Sequence, residues 1–161
     1  MNFCIFVFRF KISTKQQRIV KVLNDYHQLF KIVKISSVFK KTNFSTTRLD
    51  EEMSFAIVVE TSVDIENILA AQRRLQGSDF KCEIVVFNND IQWIPELTLP
   101  SPLLNFDPLV LHCCAEVAPQ YAHPILKEDL KTLDINNIKT DFEFLFQGKI
   151  YIDQLQEPSL K

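Results

Sequence analysis

Few side chains in this sequence have the spacing that a reactive or metal-binding site requires. His112, Cys113 and Cys114 have the chemistry for a cysteine–histidine nucleophile or a metal site. They are consecutive in a predicted helix, however, where neighbouring side chains point in different directions and cannot meet at one atom. We therefore interpret them as core residues. The acidic run Asp50-Glu51-Glu52 could hold a cation, but such runs are more often solvated surface.

The glycines and cysteines further limit the kinds of site that this chain can contain. Gly77 and Gly148 are the only glycines, whereas a phosphate-cradling loop needs glycine so that backbone N–H groups can approach the anion. The sequence thus contains neither a P-loop nor a G-x-G-x-x-G motif. Its four cysteines have no C-x-x-C or zinc-finger spacing, which predicts buried free thiols in a cytoplasmic protein.

The composition predicts one domain, spanning residues 1–161, that is large enough to bury a real core. The chain is 47% hydrophobic, which is ample for a domain of this length. Its formal net charge of -2 gives no reason to expect nucleic acid or an anionic membrane as a partner. The apolar start, residues 1–8, lacks a basic n-region and is too short to span a bilayer, so we interpret it as part of a first strand.

The hydrophobic periodicity predicts a β-α-β-β-α-β order in the N-terminal part of the chain. Alternating or continuously apolar runs predict strands, and an apolar residue every three or four positions predicts a helix. This order is typical of an α+β, ferredoxin-like sandwich with an antiparallel sheet and both helices on one face. We expect strands at 3–12, 29–39, 55–59 and 80–87, a long loop at 40–52, and helices at 14–26, opened by a Thr14–Gln17 capping box, and 62–75, capped by Ser62 or Asp64.

The remaining residues predict further C-terminal helices and a short hairpin. Prolines force an extended connection over 91–106, and Asp107-Pro108 is a strong helix start. That helix should end at Val117 and be followed by a shorter one at 124–133. Phe142, Phe144 and Phe146 alternate along a strand, which should turn at Gln147-Gly148 and pair back with 149–152. The exposed edge of this strand could join two copies into a homodimer.

Three stretches resemble a known family. They are residues 34–39, residues 58–73, and residues 83–90 followed by 97–100 and 115–119. Their order and composition resemble the 6-hydroxymethyl-7,8-dihydropterin pyrophosphokinases, folate-pathway enzymes that transfer a pyrophosphoryl group from ATP to a pterin alcohol. The resemblance covers about residues 3–133 and leaves 134–161 as a C-terminal extension.

The resemblance also implies where an active site would lie, and the residues at those positions differ from those of the family. The family uses two aspartates, two residues apart on the fourth strand, to hold magnesium against the ATP phosphates. Here the positions are Lys81 and Glu83. The lysine replaces a ligand with a charge that repels the metal, and Glu83 alone is a weak magnesium site.

Other family positions that contact the nucleotide or the pterin have changed as well. The family's arginine-rich catalytic loop is reduced to residues 76–79. The nucleotide-contacting histidine, an arginine near the next helix, the pterin-reading asparagine and the family glutamate correspond to Ser101, Asp107, Ser54 and Leu75. A phosphoryl-transfer site acts through positioning and charge neutralisation, so these changes predict a degraded active site without catalytic residues, cofactor or metal.

Two main hypotheses follow. In the first, the chain is a non-catalytic binding or interaction module for an unknown protein or a small aromatic ligand, with Phe87, Trp93 and Phe106 either lining an apolar cleft or filling it. In the second, it is a divergent pterin pyrophosphokinase that uses magnesium and ATP, with Glu83 and Asp79 as candidates for relocated ligands. A structural subunit that merely folds is a third interpretation.

Overall fold

The computed structural model describes residues 1–41, 51–137 and 142–156. Among the described residues the strands are β1 (Asn2–Lys11), β2 (Lys31–Ile35), β3 (Val38–Lys41), β4 (Glu52–Thr61), β5 (Phe80–Phe87), β6 (Gln92–Ile94), β7 (Leu97–Leu99) and β8 (Phe142–Phe146); β6 and β7 form a separate hairpin. The central sheet is antiparallel and has the strand order β5-β1-β4-β3-β8, with β2 paired to the other half of β4.

The alternation along β1 divides the apolar residues between two cores. Phe6, Phe8 and Phe10 face α1 (Gln16–Leu29) and α2 (Ile65–Leu75), and the Phe8 ring lies 4.9 Å from that of Tyr26. Ile5 and Val7 lie on the opposite face. The α+β sandwich with both early helices on one face is therefore confirmed.

The second face of the sheet is covered by α3 (Leu103–Phe106), α4 (Pro108–Val117) and α5 (Leu130–Ile135). Cys113 and Cys114 are fully buried in α4, and Cys4 and Cys82 are also buried and free. The prediction that these cysteines are core thiols is confirmed. Burial raises the pKa of Cys82 to about 12, so this thiol is not a thiolate nucleophile at neutral pH.

Two of the expected helix caps are present, and the third is not. Asp64 accepts a hydrogen bond from the Asn67 N–H at 3.0 Å, and Asp107 caps α4 ahead of Pro108. The capping box at Thr14 is wrong, because α1 begins at Gln16 after an extended Lys15 that makes no side-chain cap.

The single strand expected at 29–39 is two strands. The break falls at Ser36 and Ser37, whose side chains form hydrogen bonds that compete with regular strand pairing; the Ser37 hydroxyl donates to Glu116 Oε1 at 2.6 Å. The Ser36 hydroxyl donates to the Ser37 carbonyl at 2.8 Å and accepts from the Ala56 N–H at 2.9 Å. The expected long loop at 40–52 begins two residues too early, since β3 continues to Lys41; residues 42–50 lie outside the described residues.

The C-terminal hairpin is wrong as well. Lys149–Ile152 forms the short helix α6, which follows a helical backbone at Gly148, and β8 pairs with β3 instead. Burial explains the difference: the Tyr151 ring is 2% exposed and packs against Phe55 and Phe146. The helix expected at 124–133 is α5 at Leu130–Ile135, capped by Asp129.

The buried His123 gives the fold a defined acid sensitivity. Its Nδ1 accepts the Ile125 and Leu126 N–H groups at 3.2 and 3.1 Å, and burial lowers its pKa below 6.5. The unfolded chain then binds more protons than the folded one at acid pH, so the free energy of unfolding should fall as the pH drops below about 6.5. His123→Asn keeps an acceptor but cannot titrate. Between pH 7.5 and pH 5, the free energy of unfolding measured by urea denaturation should fall less for this variant than for the wild type. Equal decreases would contradict the assignment of the acid sensitivity to His123.

Candidate functional site

Four charged side chains meet where β1, β3, β5 and α4 come together. The β1–β5 register places Arg9 opposite Lys81 and Val7 opposite Glu83. Lys41 ends β3, and Asp107 is the N-cap of α4. The resemblance places the family's active site here, so we call this group, Arg9, Lys41, Glu83 and Asp107, the ion cluster.

Both carboxylate oxygens of Asp107 are in use. Oδ1 accepts the Leu109 and Val110 N–H groups at 3.1 and 3.4 Å, and Oδ2 accepts from Lys41 Nζ at 2.9 Å. The side chain is only 10% exposed. Asp107 is therefore both a helix cap and the counterion of Lys41, which leaves little capacity for a metal.

The Arg9 guanidinium lies between the two carboxylates of the cluster. Its Nη2 is 3.9 Å from Glu83 Oε1 and 3.8 Å from Asp107 Oδ2. Both distances are too long for hydrogen bonds, and Nη2 has no hydrogen-bond partner in the described chain. A cationic group of the protein thus occupies the space between the two acids.

Two cavities flank the ion cluster. The first has a volume of about 310 Å³, and Lys41, Phe106, Asp107, Leu109 and Phe142 contribute to its lining. The second, of about 370 Å³, has Gln72, Glu83, Glu96 and Ser101 in its lining. Leu103 lines both. The second cavity carries two carboxylates and no cationic lining residue, which is an unfavourable environment for a polyanion such as ATP.

The three aromatic residues predicted to line a cleft lie in different surroundings. Phe106 is 80% exposed and lines the first cavity. Phe87 is 5% exposed and packs in the core beneath α1 and α2, and Trp93 is 77% exposed on β6. The first cavity gains its second phenylalanine from Phe142, in the C-terminal extension.

Three further residues that the sequence offered as site candidates, Asp79, His112 and Glu51, are each paired with another side chain. Arg18 holds Asp79 in a bidentate pair at 2.7 and 3.0 Å, and these hydrogen bonds lower the pKa of the Asp79 carboxyl. His112 Nδ1 lies 2.9 Å from Asp134 Oδ2. Within the described residues, no group of three or more His, Cys, Asp or Glu side chains is placed to hold a metal. Glu51 and Glu52 are described, and Glu51 pairs with Lys40 at 3.2 Å; Asp50 lies outside the described residues.

Sequence reasoning missed the role of Arg9. The pattern that could have indicated it is the alternation in β1, which puts Arg9 on the same face as Ile5 and Val7, at the end of an otherwise apolar row. A charge at such a position requires a buried or half-buried counterion. Its partner Asp107 is nearly a hundred positions away, so the pairing is not readable from local pattern.

Comparisons with known proteins support the fold and nothing finer. No family model matches the chain, and no curated protein matches it. Among solved structures, Plasmodium falciparum HPPK-DHPS with pteroate has a TM-score of 0.68 at 10% identity, covering 83% of this chain and 42% of that one. HPPK is the pyrophosphokinase of the resemblance.

Further HPPK-DHPS structures agree with this result. A triple mutant of the Plasmodium falciparum protein with SDX-DHP has a TM-score of 0.69 at 9% identity, covering 83% of this chain and 41% of that one. An HPPK-DHPS complex with substrates has a TM-score of 0.64 at 11% identity, with coverages of 83% and 42%. The chain thus spans about two fifths of the length of these proteins and shares the HPPK fold. No helix among the described residues is long and apolar enough to cross a membrane.

The double role of Asp107 can be separated by two substitutions. Asp107→Ala should lower the free energy of unfolding by about 1–2 kcal/mol for the lost cap, and further because Arg9 loses a counterion. Asp107→Asn keeps the cap and should lose only the charge contribution. Asp129→Ala, which removes an exposed cap of α5, is the matched control. Equal urea midpoints for the Asn and Ala variants would show that the cap does not contribute, and an Asn variant as stable as the wild type would show that the charge does not.

Proposed function

We propose that this chain is a binding module with the pyrophosphokinase fold that performs no phosphoryl transfer. The observation that supports it is the position of Arg9, whose guanidinium lies between Glu83 and Asp107. Pyrophosphoryl transfer from ATP requires divalent cations held by carboxylates against the phosphates. A guanidinium 3.9 and 3.8 Å from the two acids would compete with such a cation for their charge and repel it.

Electrostatic magnitudes favour this proposal. Two unit charges 4 Å apart interact by about 4 kcal/mol at an effective dielectric constant of 20, and a divalent ion beside a guanidinium would be repelled about twice as strongly. Lys81 adds a third cation to Arg9 and Lys41, against the acids Glu83 and Asp107. The balance of charge therefore opposes magnesium binding.

The first cavity supports a small aromatic ligand as the bound species. Phe106, Phe142 and Leu109 provide apolar surface, and the Lys41–Asp107 pair provides polar groups at the same cavity. A volume of about 310 Å³ is at the lower end of the range for ligand pockets. The four buried free cysteines support a reducing compartment such as the cytoplasm.

The alternative, a divergent pyrophosphokinase with relocated ligands, receives less support. Asp79 was its candidate second ligand, and Asp79 is paired with Arg18 of α1. The second cavity adds Glu96 to Glu83 rather than a cation that could neutralise phosphate.

Titration calorimetry with Mg·ATP tests the catalytic question. The wild type should give no micromolar binding and, with 6-hydroxymethyl-7,8-dihydropterin, no ATP turnover. Micromolar affinity would overturn the proposal in favour of the kinase.

A gain of metal binding tests the role of Arg9 directly. The double variant Arg9→Ser, Lys81→Asp restores two carboxylates on one strand face without the guanidinium, so it should bind Mn²⁺ more tightly than the wild type by electron paramagnetic resonance. Lys81→Asp alone should gain less, because Arg9 still repels the ion. Equal affinities of the single and double variants would contradict the role given to Arg9.

Ligand-observed NMR with one- and two-ring aromatic fragments tests the binding function. Fragments that bind the wild type should lose binding in Phe106→Ala, because that ring is a wall of the first cavity. Ile94→Ala, an exposed residue on β6, is the control and should bind as the wild type does. Binding that Phe106→Ala leaves intact would place the ligand elsewhere.

A further inference from the structure

We propose that this chain forms a two-fold dimer in which β8 pairs antiparallel with β8 of a second copy. The inference concerns the outer edge of β8 and does not depend on the proposed function, although Phe142 at the start of this strand also lines the first cavity. It follows from how the other strand edges among the described residues are protected, and from the composition of β8, whose edge carries no lysine or proline.

The edge at β5 is covered by the chain itself. The Ser101 N–H donates to the Val85 carbonyl at 2.8 Å, and β7 packs beside the same strand. A further strand cannot pair along a segment that is already hydrogen-bonded and covered.

The short strand β2 carries the usual safeguards of an exposed strand. Lys31 and Lys34 are exposed, and the register shifts between Ile32 and Lys34. Lysines and bulges are devices that prevent edge-to-edge pairing.

β8 is different in composition. It is the last strand of the sheet in the described part of the chain, and residues 142–146 contain no lysine, proline or glycine. Its single charge, Glu143, is neutralised from within by Lys40, whose Nζ lies 3.0 Å from Glu143 Oε1. Phe144 is 54% exposed. An edge with exposed aromatic surface and no free charge is a template for another strand.

The arrangement of residues along β8 favours a second copy as the partner. If the two-fold axis passes through Phe144, each Phe144 faces its own mate, and aromatic cross-strand pairs are stabilising. Glu143 then lies opposite the partner's Leu145, so the two carboxylates do not face each other. An axis through Glu143 would place like charges opposite one another, which is unfavourable.

The bulge in β8 limits the strength of this dimer. Phe144 pairs with Phe39, but Phe146 pairs with Val38, so Leu145 is the extra residue. Phe142 and Phe144 contact Phe39, whereas Phe146 contacts Tyr151 on the other face. The regular run is therefore short, and we expect a dimer that dissociates on dilution because the paired area is below that of standard interfaces.

Sedimentation velocity over a concentration series tests the dimer. The wild type should shift from monomer to dimer as its concentration rises. Phe144→Lys should raise the dissociation constant by about tenfold or more, because it places like charges on the axis. Ile94→Lys, which changes a strand residue of similar exposure (45%), should leave the dissociation constant unchanged. A wild type that remains monomeric up to its solubility limit would overturn the proposal.

Oxidative cross-linking tests the register and does not depend on the stability of the lysine variant. Phe144→Cys should form a disulfide dimer, since a residue on the axis meets its own copy within disulfide reach. Glu143→Cys should cross-link poorly alone but efficiently when mixed with Leu145→Cys. The native cysteines are buried and give no background, and Ile94→Cys is the collisional control. Dimer formation with equal cross-linking at positions 94 and 144 would refute pairing through β8.

Discussion

Helix α4 is held against the sheet by a carboxylate at each end, and the arrangement of the site depends on these two anchors. At the N-terminus Asp107 caps the helix and faces Lys41 and Arg9. Near the C-terminus Glu116 Oε1 accepts the Ser37 N–H at 3.0 Å and the Ser37 hydroxyl at 2.6 Å. The Asp107 carboxylate is 10% exposed, and a charge buried to this extent is tolerated only where it is paired and hydrogen-bonded; Glu116 is exposed. The ion cluster and the serine break between β2 and β3 are thus two parts of one attachment.

This attachment holds the fold in place independently of the positions at which the resemblance would put an active site. Ser36, Ser37 and Glu116 belong to the stretches that carry the resemblance, and in the structure they bond to backbone and to one another. They hold a strand break and a helix in place. The positions that would contact metal and nucleotide, Lys81 and Ser101, are not needed for that purpose. The residues that carry the fold likeness are therefore separate from the positions at which the resemblance would put an active site, as expected when function depends on a site placed on a shared scaffold.

The sequence correctly predicted the features that are set by residues close together in the chain. The bounds of β5, the cap at Asp107 and the α2 cap, narrowed to Ser62 or Asp64, were readable because each follows from periodicity or from a residue's own backbone chemistry. The strand break at Ser36-Ser37 and the C-terminal helix were not, because a bond to Ala56 and the burial of Tyr151 decide them.

The candidate site was less predictable than the fold. Lys81 and Glu83 could be located by resemblance, and Phe106 was found as part of an apolar wall. The Arg9–Asp107 and Lys41–Asp107 pairs join segments far apart in the sequence, and Phe142 comes from an extension that the resemblance does not reach.

The burial of strand β4 also has a consequence for how the protein unfolds. Met53 to Val59 of β4 are buried without interruption, and alternate side chains belong to opposite cores. Neither layer can therefore melt while the other stays intact, and thermal denaturation of the sandwich should be one cooperative event.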